Sequence, residues 1–393
     1  MSRAVRTGLI GLGAMGQGHA RRILEGEIDG LELAAVCDAD KSRLAAFDGV
    51  AQYTQVNELL TSRAVDAVVI ATPHYSHTDI GVAALEAGLH VLVEKPISVH
   101  KADCLRLIEA HGAPRGAGTG TGLSGGAPET AAAQGAESAA AQDAGNTGAA
   151  GQVFAAMFNQ RTDPRYTKLK QLIDSGELGE LRRMMWVITD WFRTASYYAS
   201  GTWRATWAGE GGGVLLNQSP HQLDLWQWLF GMPDAVTADC QFGRFHDIEV
   251  EDAVTATLAY NNGARGVFVT TTGEAPGENR LTVVGDRGIV VVDDDGLKFT
   301  RTEVSVQEYC DTAKTGMGKP EVWHISIPTG SRGSQHRGIL ENFSAAIREG
   351  APLIAPAAEG LHSVELANAM LLSGFERGRV ELPIDASYYA EAL

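Results

Sequence analysis

Apolar and polar positions along the chain fall into two successive rhythms. In the first, short wholly apolar runs alternate with stretches of helical spacing. Residues 5–10 form an apolar run that passes into the glycine-rich stretch 11–16, and 17–24 continue with helical spacing. A second apolar run, 31–37, is followed by helix-forming segments at 41–47 and 56–62. Residues 66–71 (DAVVIA) read as a strand buried on both faces, as in a parallel sheet. A helix over 78–87, closed by Gly88, leads to a strand at 90–93 and a helix at 101–111. Strand, helix and strand in this order predict right-handed crossovers and a doubly wound sheet.

The rhythm then changes. Residues 112–150 are dominated by Gly, Ala, Ser, Thr and Gln, and Leu123 is their one large apolar residue. Such a composition cannot bury enough surface to offset its ordering entropy, so it reads as a disordered or loosely held insertion. A strand at 152–159 resumes the first pattern, which puts the insertion in a loop of the first domain. Beyond residue 165 come a helix over 166–175 closed by Gly176, a strand at 182–188, and an aromatic, polar segment at 191–207. A helix over 214–230 carries the stripe Leu223, Trp226 and Leu229. Strands at 236–242, 252–260, 266–272, 280–285 and 288–293 alternate with turn signals at Asn261-Asn262-Gly263 and Gly285-Asp286. They predict a largely antiparallel sheet, followed by helices at 337–349 and 358–373. At 393 residues the chain is too long for one comfortable core. The expected organisation is α/β, with one domain over 1–162 and a second over 163–393.

Composition narrows the partners. A hydrophobic content of 44% and a charged content of 20% describe a globular chain, and the net charge of −16 argues against nucleic acid or an anionic membrane surface. Cys37, Cys104, Cys240 and Cys310 lie far apart with no CxxC pair, so neither a metal site nor a disulfide framework is expected, and the thiols read as buried. No apolar run reaches the roughly 18 residues of a membrane span, and the first strand leaves little room for a signal peptide. The expected location is cytoplasmic.

Gly11, Gly13 and Gly16, after a strand and before a helix, have the spacing of a dinucleotide-binding turn. Gly11 allows the tight turn, Gly13 a close approach of backbone to pyrophosphate, and Gly16 close packing of helix on strand; Leu12, Ala14 and Met15 complete the turn. Asp38 ends the second strand at the distance where such a turn wants an acid for the ribose hydroxyls. Its carboxylate favours NAD over a 2′-phosphate, while Lys41 and Arg43 lie near enough in sequence to tolerate NADP.

Three further groups carry chemistry. Lys95, in Glu94-Lys95-Pro96 at a strand's carboxyl end, reads either as a structural lysine or as an acid/base beside a nicotinamide. Asn217 and His221 are four apart, so a helix would put them on one face, with Asp224 placed to orient His221; a capped helix with a satisfied histidine explains the same residues. Asn159, Arg161, Trp191, Arg193, Trp203 and Arg204, with Tyr197 and Tyr198, offer aromatic faces and polar donors to a polyhydroxylated ligand, or else form an aromatic subdomain contact.

Taken together, GLIGLGAMG, ATPHYSH, VLVEKP and GGGVLL followed by HQLD resemble the glucose–fructose oxidoreductase, inositol dehydrogenase and rhizopine-catabolism family, Gfo/Idh/MocA. The likeness covers nearly the whole chain apart from 112–150. It implies a Rossmann NAD(P)-binding domain followed by an α/β domain with an open, mostly antiparallel sheet, one face of which often joins subunits, so that a homo-oligomer (dimer or tetramer) is expected. It implies reversible hydride transfer between NAD(P) and a hydroxyl-bearing carbon, commonly of a sugar or cyclitol. Lys95 matches the catalytic lysine and His221 the catalytic histidine. Thr72, Pro73, His74, His77 and Glu94 fall with the cofactor-binding positions, His74 replacing a frequent Asn. Asn217 stands where many members have Asp; an amide cannot take a proton, so Asn217 is expected to hold a substrate hydroxyl. Two other readings follow from the same motifs: a glycosidase using NAD for a transient oxidation, and a non-catalytic dinucleotide-binding sensor.

Overall fold

The computed structural model describes residues 3–113, 148, 151–201 and 203–392. The expected insertion at 112–150 lies outside the described residues except at 112, 113 and 148. The chain packs as two compact units: Met1–Ser98, Ala102–Phe158 and His336–Leu361 form the first, and Val99–Lys101, Asn159–Gln335 and His362–Leu393 the second. These units do not follow a single cut at 162/163. Residues 336–361 pack with the first unit, where Ala155 pairs its backbone with Pro356 and Ser344 Oγ donates to Asp29 O at 2.8 Å. Contacts over such separations leave no local trace in the sequence.

The first unit holds a six-stranded sheet of β1 (Val5–Ile10), β2 (Leu31–Cys37), β3 (Ala51–Tyr53), β4 (Ala67–Ile70), β5 (His90–Val93) and β6 (Phe154–Ala156). The order is β3-β2-β1-β4-β5-β6 and every pairing is parallel. This is the Rossmann order, with the reversal of strand order falling between β1 and β4. All four residues of β4 are fully buried, as its unbroken apolar run requires. Helices Ala14–Leu24 and Ser76–Glu86 carry the crossovers, and Gly88 takes φ +83° just past the second. The edge strand β3 went unforeseen because its three residues are largely exposed and carry no apolar run.

The second unit holds a nine-stranded sheet in the order β14-β13-β12-β11-β7-β10-β9-β8-β15. Its strands are β7 (Leu181–Ile188), β8 (Ala235–Phe242), β9 (Glu251–Ala259), β10 (Arg265–Thr271), β11 (Asn279–Gly285), β12 (Gly288–Asp293), β13 (Gly296–Thr302), β14 (Val322–Ile327) and β15 (Val380–Glu381). The β7/β10 pair is parallel and the other pairings are antiparallel. Along β7 and β9 buried residues alternate with more exposed ones, so one face builds the core. Helices Pro164–Asp174, Pro220–Phe230 and Gly360–Glu376 supply Leu169, Trp226 and Met370 to that core beside Trp186 and Phe268. The Trp226 ring lies 5.9 Å from Phe268 edge-on, and its Nε1 donates to Tyr260 Oη at 2.9 Å.

Two expectations are corrected here. The helix foreseen over 214–230 forms only as Pro220–Phe230, and 211–219 run as turns. Pro220 has no N–H to continue a helix from upstream, and buried Glu251 takes the backbone N–H groups of Gly213 and Leu215 (2.8 and 2.9 Å). Cys37, Cys104 and Cys240 are buried, but Cys310 is exposed on helix Val306–Thr312, which buries none of its residues. Among the described residues, no helix is long and apolar enough to cross a membrane, and no group of three or more His, Cys, Asp or Glu could hold a metal ion.

Candidate active site

In the first unit the glycine turn has the shape its spacing requires. Gly11 sits at φ +89°, where a Cβ would lie 2.7 Å from Ala71 O, and a Cβ on Gly16 would collide with Gly11 O. Gly13 differs: a Cβ there meets nothing within 4 Å, so packing does not demand glycine and the turn's open side faces away from the protein. Helix Ala14–Leu24 starts beyond Gly13 with no side-chain cap and no acid in its first turn. Its leading N–H groups and positive dipole end therefore suit pyrophosphate oxygens. Leu12 is buried and Met15 exposed on the first turn. Asp38 reaches this turn directly: one carboxylate oxygen accepts from Leu12 N at 2.6 Å and the other from Asp40 N at 2.8 Å, while an Arg43 nitrogen lies 3.5 Å away. Thr72 and Pro73 follow β4, and Thr72 Oγ1 is buried with no hydrogen-bond partner among the described residues. A turn, an acid and an orphaned hydroxyl at the carboxyl ends of β1, β2 and β4 fit a dinucleotide.

Two residues expected on the cofactor are engaged by the protein instead. His77 is buried, with Nδ1 2.8 Å from Pro96 O and Nε2 2.8 Å from Thr72 O. It straps the loop after β4 to the loop after β5, and burial pushes its imidazole below the ordinary range despite both carbonyls. Glu94 lies 2.7 Å from His19 Nε2 through one carboxylate oxygen, and its other oxygen accepts the Lys95 backbone N–H at 3.2 Å. Burial opposes ionisation of Glu94, but the His19 bond and the nearby charges of His19, His336 and Lys95 outweigh it and bring the carboxyl down to about 2. The His19 and His336 rings stand 5.5 Å apart. Lys95 is thus set by an ionised Glu94 and two histidines that sequence reasoning missed. His19 carried a signal three residues past Gly16; His336 had none, being remote in the chain. His74 is buried beside His77, ring centroids 6.1 Å apart.

The second unit gathers the residues expected on a substrate. Arg193 lies over Trp191 (5.4 Å to the centroid) and over Tyr197 (5.0 Å); Arg204 lies over Tyr197 and over Trp203, both at 4.6 Å. The five side chains form one alternating stack of aromatic rings and guanidinium groups. Tyr197 Oη accepts from Arg204 at 2.9 Å and from Gln218 at 3.3 Å, which ties the stack to the segment leading into helix Pro220–Phe230. Asn217 precedes that helix and donates its amide to Glu210; His221 is its second residue. The two therefore do not share a helical face. Glu210, unforeseen and buried, also accepts Ala205 N at 2.7 Å, holding Ala205 at φ +54° beside Arg204.

Asp224 was expected to orient His221. It forms a buried two-point ion pair with Arg161, at 2.8 and 2.5 Å. This corrects Arg161 as a ligand donor: its side chain is 1% exposed and its guanidinium serves Asp224. Asn159 is buried in a short 3-10 turn and donates to Gln335 at 2.6 Å.

Residues 5–113 match the oxidoreductase family with an NAD-binding Rossmann fold, and residues 166–291 match the GFO/IDH/MocA C-terminal domain. The chain belongs to the Gfo/Idh/MocA family. It is similar to inositol 2-dehydrogenase from Corynebacterium glutamicum, 28% identical over 274 residues that cover 68% of this chain and 64% of that protein. It is also similar to inositol 2-dehydrogenase 4 from Saccharopolyspora erythraea, 26% identical over 80% of this chain and 87% of that one. Among solved structures, the Gfo/Idh/MocA chain here resembles the WlbA dehydrogenase from Chromobacterium violaceum in complex with NADH and UDP-GlcNAcA. That likeness has a TM-score of 0.75 and 26% identity, covering 98% of each chain.

Proposed function

We propose that this Gfo/Idh/MocA member is an NAD-dependent oxidoreductase acting on a sugar, sugar derivative or cyclitol, with Lys95 as general acid/base. The observation that carries the reading is Lys95 at the end of β5, its backbone held by ionised Glu94, in the unit whose glycine turn fits a dinucleotide. The relatives named inositol 2-dehydrogenase and the NADH-bound WlbA structure support the reaction class. When bound, the nicotinamide supplies the hydride acceptor. The Lys95 amine takes the proton from the reacting hydroxyl, or returns it in the reverse direction. His221 orients that hydroxyl or shares its proton, and Asn217, an amide, positions a hydroxyl without taking a proton. Asp38 accepts the ribose hydroxyls and disfavours a 2′-phosphate.

Lys95→Ala tests the assignment. NADH binding, read by nucleotide fluorescence, stays near wild type, while kcat falls by about two orders of magnitude or more, the scale of lost acid/base catalysis. A variant keeping more than a few per cent of kcat would remove Lys95 from the reaction.

A further inference from the structure

We infer that the substrate carries an anionic group, a carboxylate or a phosphate ester on a polyhydroxylated skeleton, and that Trp191 and Arg193 recognise it. The inference rests on the oxidoreductase reading and names its substrate class. In the alternating stack, two guanidinium groups share the Tyr197 ring. Among the described residues, neither Arg193 nor Arg204 has a carboxylate oxygen within 4 Å, in a chain of net charge −16. Two cations on one ring repel each other unless an anion joins them. At the same end of the stack, Arg193 Nε and Trp191 Nε1 are buried and have no hydrogen-bond partner among the described residues. Both are obligate donors, so what satisfies them is an acceptor. Stacking on Trp191 and Tyr197 fixes the guanidinium plane in advance, and its fork matches the paired oxygens of a carboxylate or phosphate.

The acids nearby set the polarity of the bound molecule. Asp252 is buried and taken up by the backbone N–H groups of Arg244, Phe245 and His246 and by the His246 ring. Asp247 and Glu249, with Tyr198, Arg204 and His246, line a cavity of about 360 Å³. Carboxylates on that wall repel a second anion and accept hydroxyls, so the polyol lies toward Arg204 and its charged group toward Arg193.

The test uses the full chain with NAD and a matched panel of a hexose, its uronate and its 6-phosphate, following NADH formation and, in parallel, sugar binding by calorimetry. The expected result is a preference of about ten-fold or more in kcat/KM or affinity for the uronate or the phosphate over the hexose, weakening as salt rises. Preference for one of the two anions identifies the group. Trp191→Phe, which keeps the ring and removes the donor, and Arg193→Gln each reduce that preference, mainly through KM. A hexose turned over as well as both anions, with no salt dependence, overturns the anionic class and leaves the oxidoreductase reading standing. Anion-selective binding without NADH formation from any substrate keeps the anionic class and overturns the reaction. Neither selective binding nor turnover overturns both.

Discussion

At the scale of single residues, much of the site is fixed by pairs that lie far apart in the chain. Glu94 and His19 are the clearest. A carboxyl held at about 2 in the folded protein, against 4.5 ordinarily, stabilises the fold fully above pH 4.5 and loses that contribution as pH falls from 4.5 toward 2. His19→Gln removes the pair. In urea unfolding across that range, the wild-type advantage over the variant shrinks as the solution is acidified. An advantage that stays constant with pH would mean that Glu94 is not held ionised by His19. Asp38 supports a second prediction. Asp38→Ser removes the carboxylate that meets the glycine turn while keeping Arg43, so the NAD to NADP ratio of kcat/KM falls by about ten-fold or more. An unchanged ratio would place the ribose elsewhere.

At the scale of elements, legibility follows the range of the forces. Most of the parallel sheet could be read because β1, β2, β4 and β5 are short apolar runs, with Gly11 after β1, Asp38 after β2 and Glu94 after β5. The glycine turn and Asp38 were legible because Asp38 follows the turn closely in sequence, and the structure joins them by a hydrogen bond. Residues 214–219 run as turns rather than as the start of the expected helix because their conformation is decided from outside, by Glu251 on β9 and by Pro220. Likewise the ion pair of Asp224 with Arg161, sixty-three positions away, had no signal in the sequence. Glu251 gives this scale its own test. Burial lifts its carboxyl to about 7, against the backbone N–H bonds that would lower it, with the charge of Glu210 adding to the rise. The folded state then binds the proton more tightly than the unfolded one, so this group's contribution is greatest below pH 4.5 and declines as pH rises to about 7. His77 and His336, both pushed down by burial, act in the opposite sense over part of that range. The stability difference between wild type and Glu251→Gln cancels them and should fall with pH between 4.5 and 7. A flat difference would mean that Glu251 stays ionised throughout and that the turns at 211–219 do not depend on its protonation.

At the scale of the whole molecule, the second unit covers one face of a nine-stranded sheet with helices and leaves Ile289 on β12 and Val322 on β14 exposed on the other face. A second copy covering that apolar surface is the arrangement we propose, in line with the oligomer expected from the motifs. Light scattering of the wild type should give a dimer or tetramer, and Val322→Glu should shift it toward smaller species; a wild-type monomer would refute the proposal.

Hydride transfer at a hydroxyl-bearing carbon is reached most directly by measuring NADH formation by the purified chain with NAD and NADP in parallel. The panel is cyclitols, aldoses, their acids and phosphates, and glycosides. The predicted result is NADH formation with NAD and one class of polyhydroxylated substrate, abolished by Lys95→Ala. Release of free sugar from a glycoside without net NADH, or tight NAD binding with no product from any substrate, would contradict it.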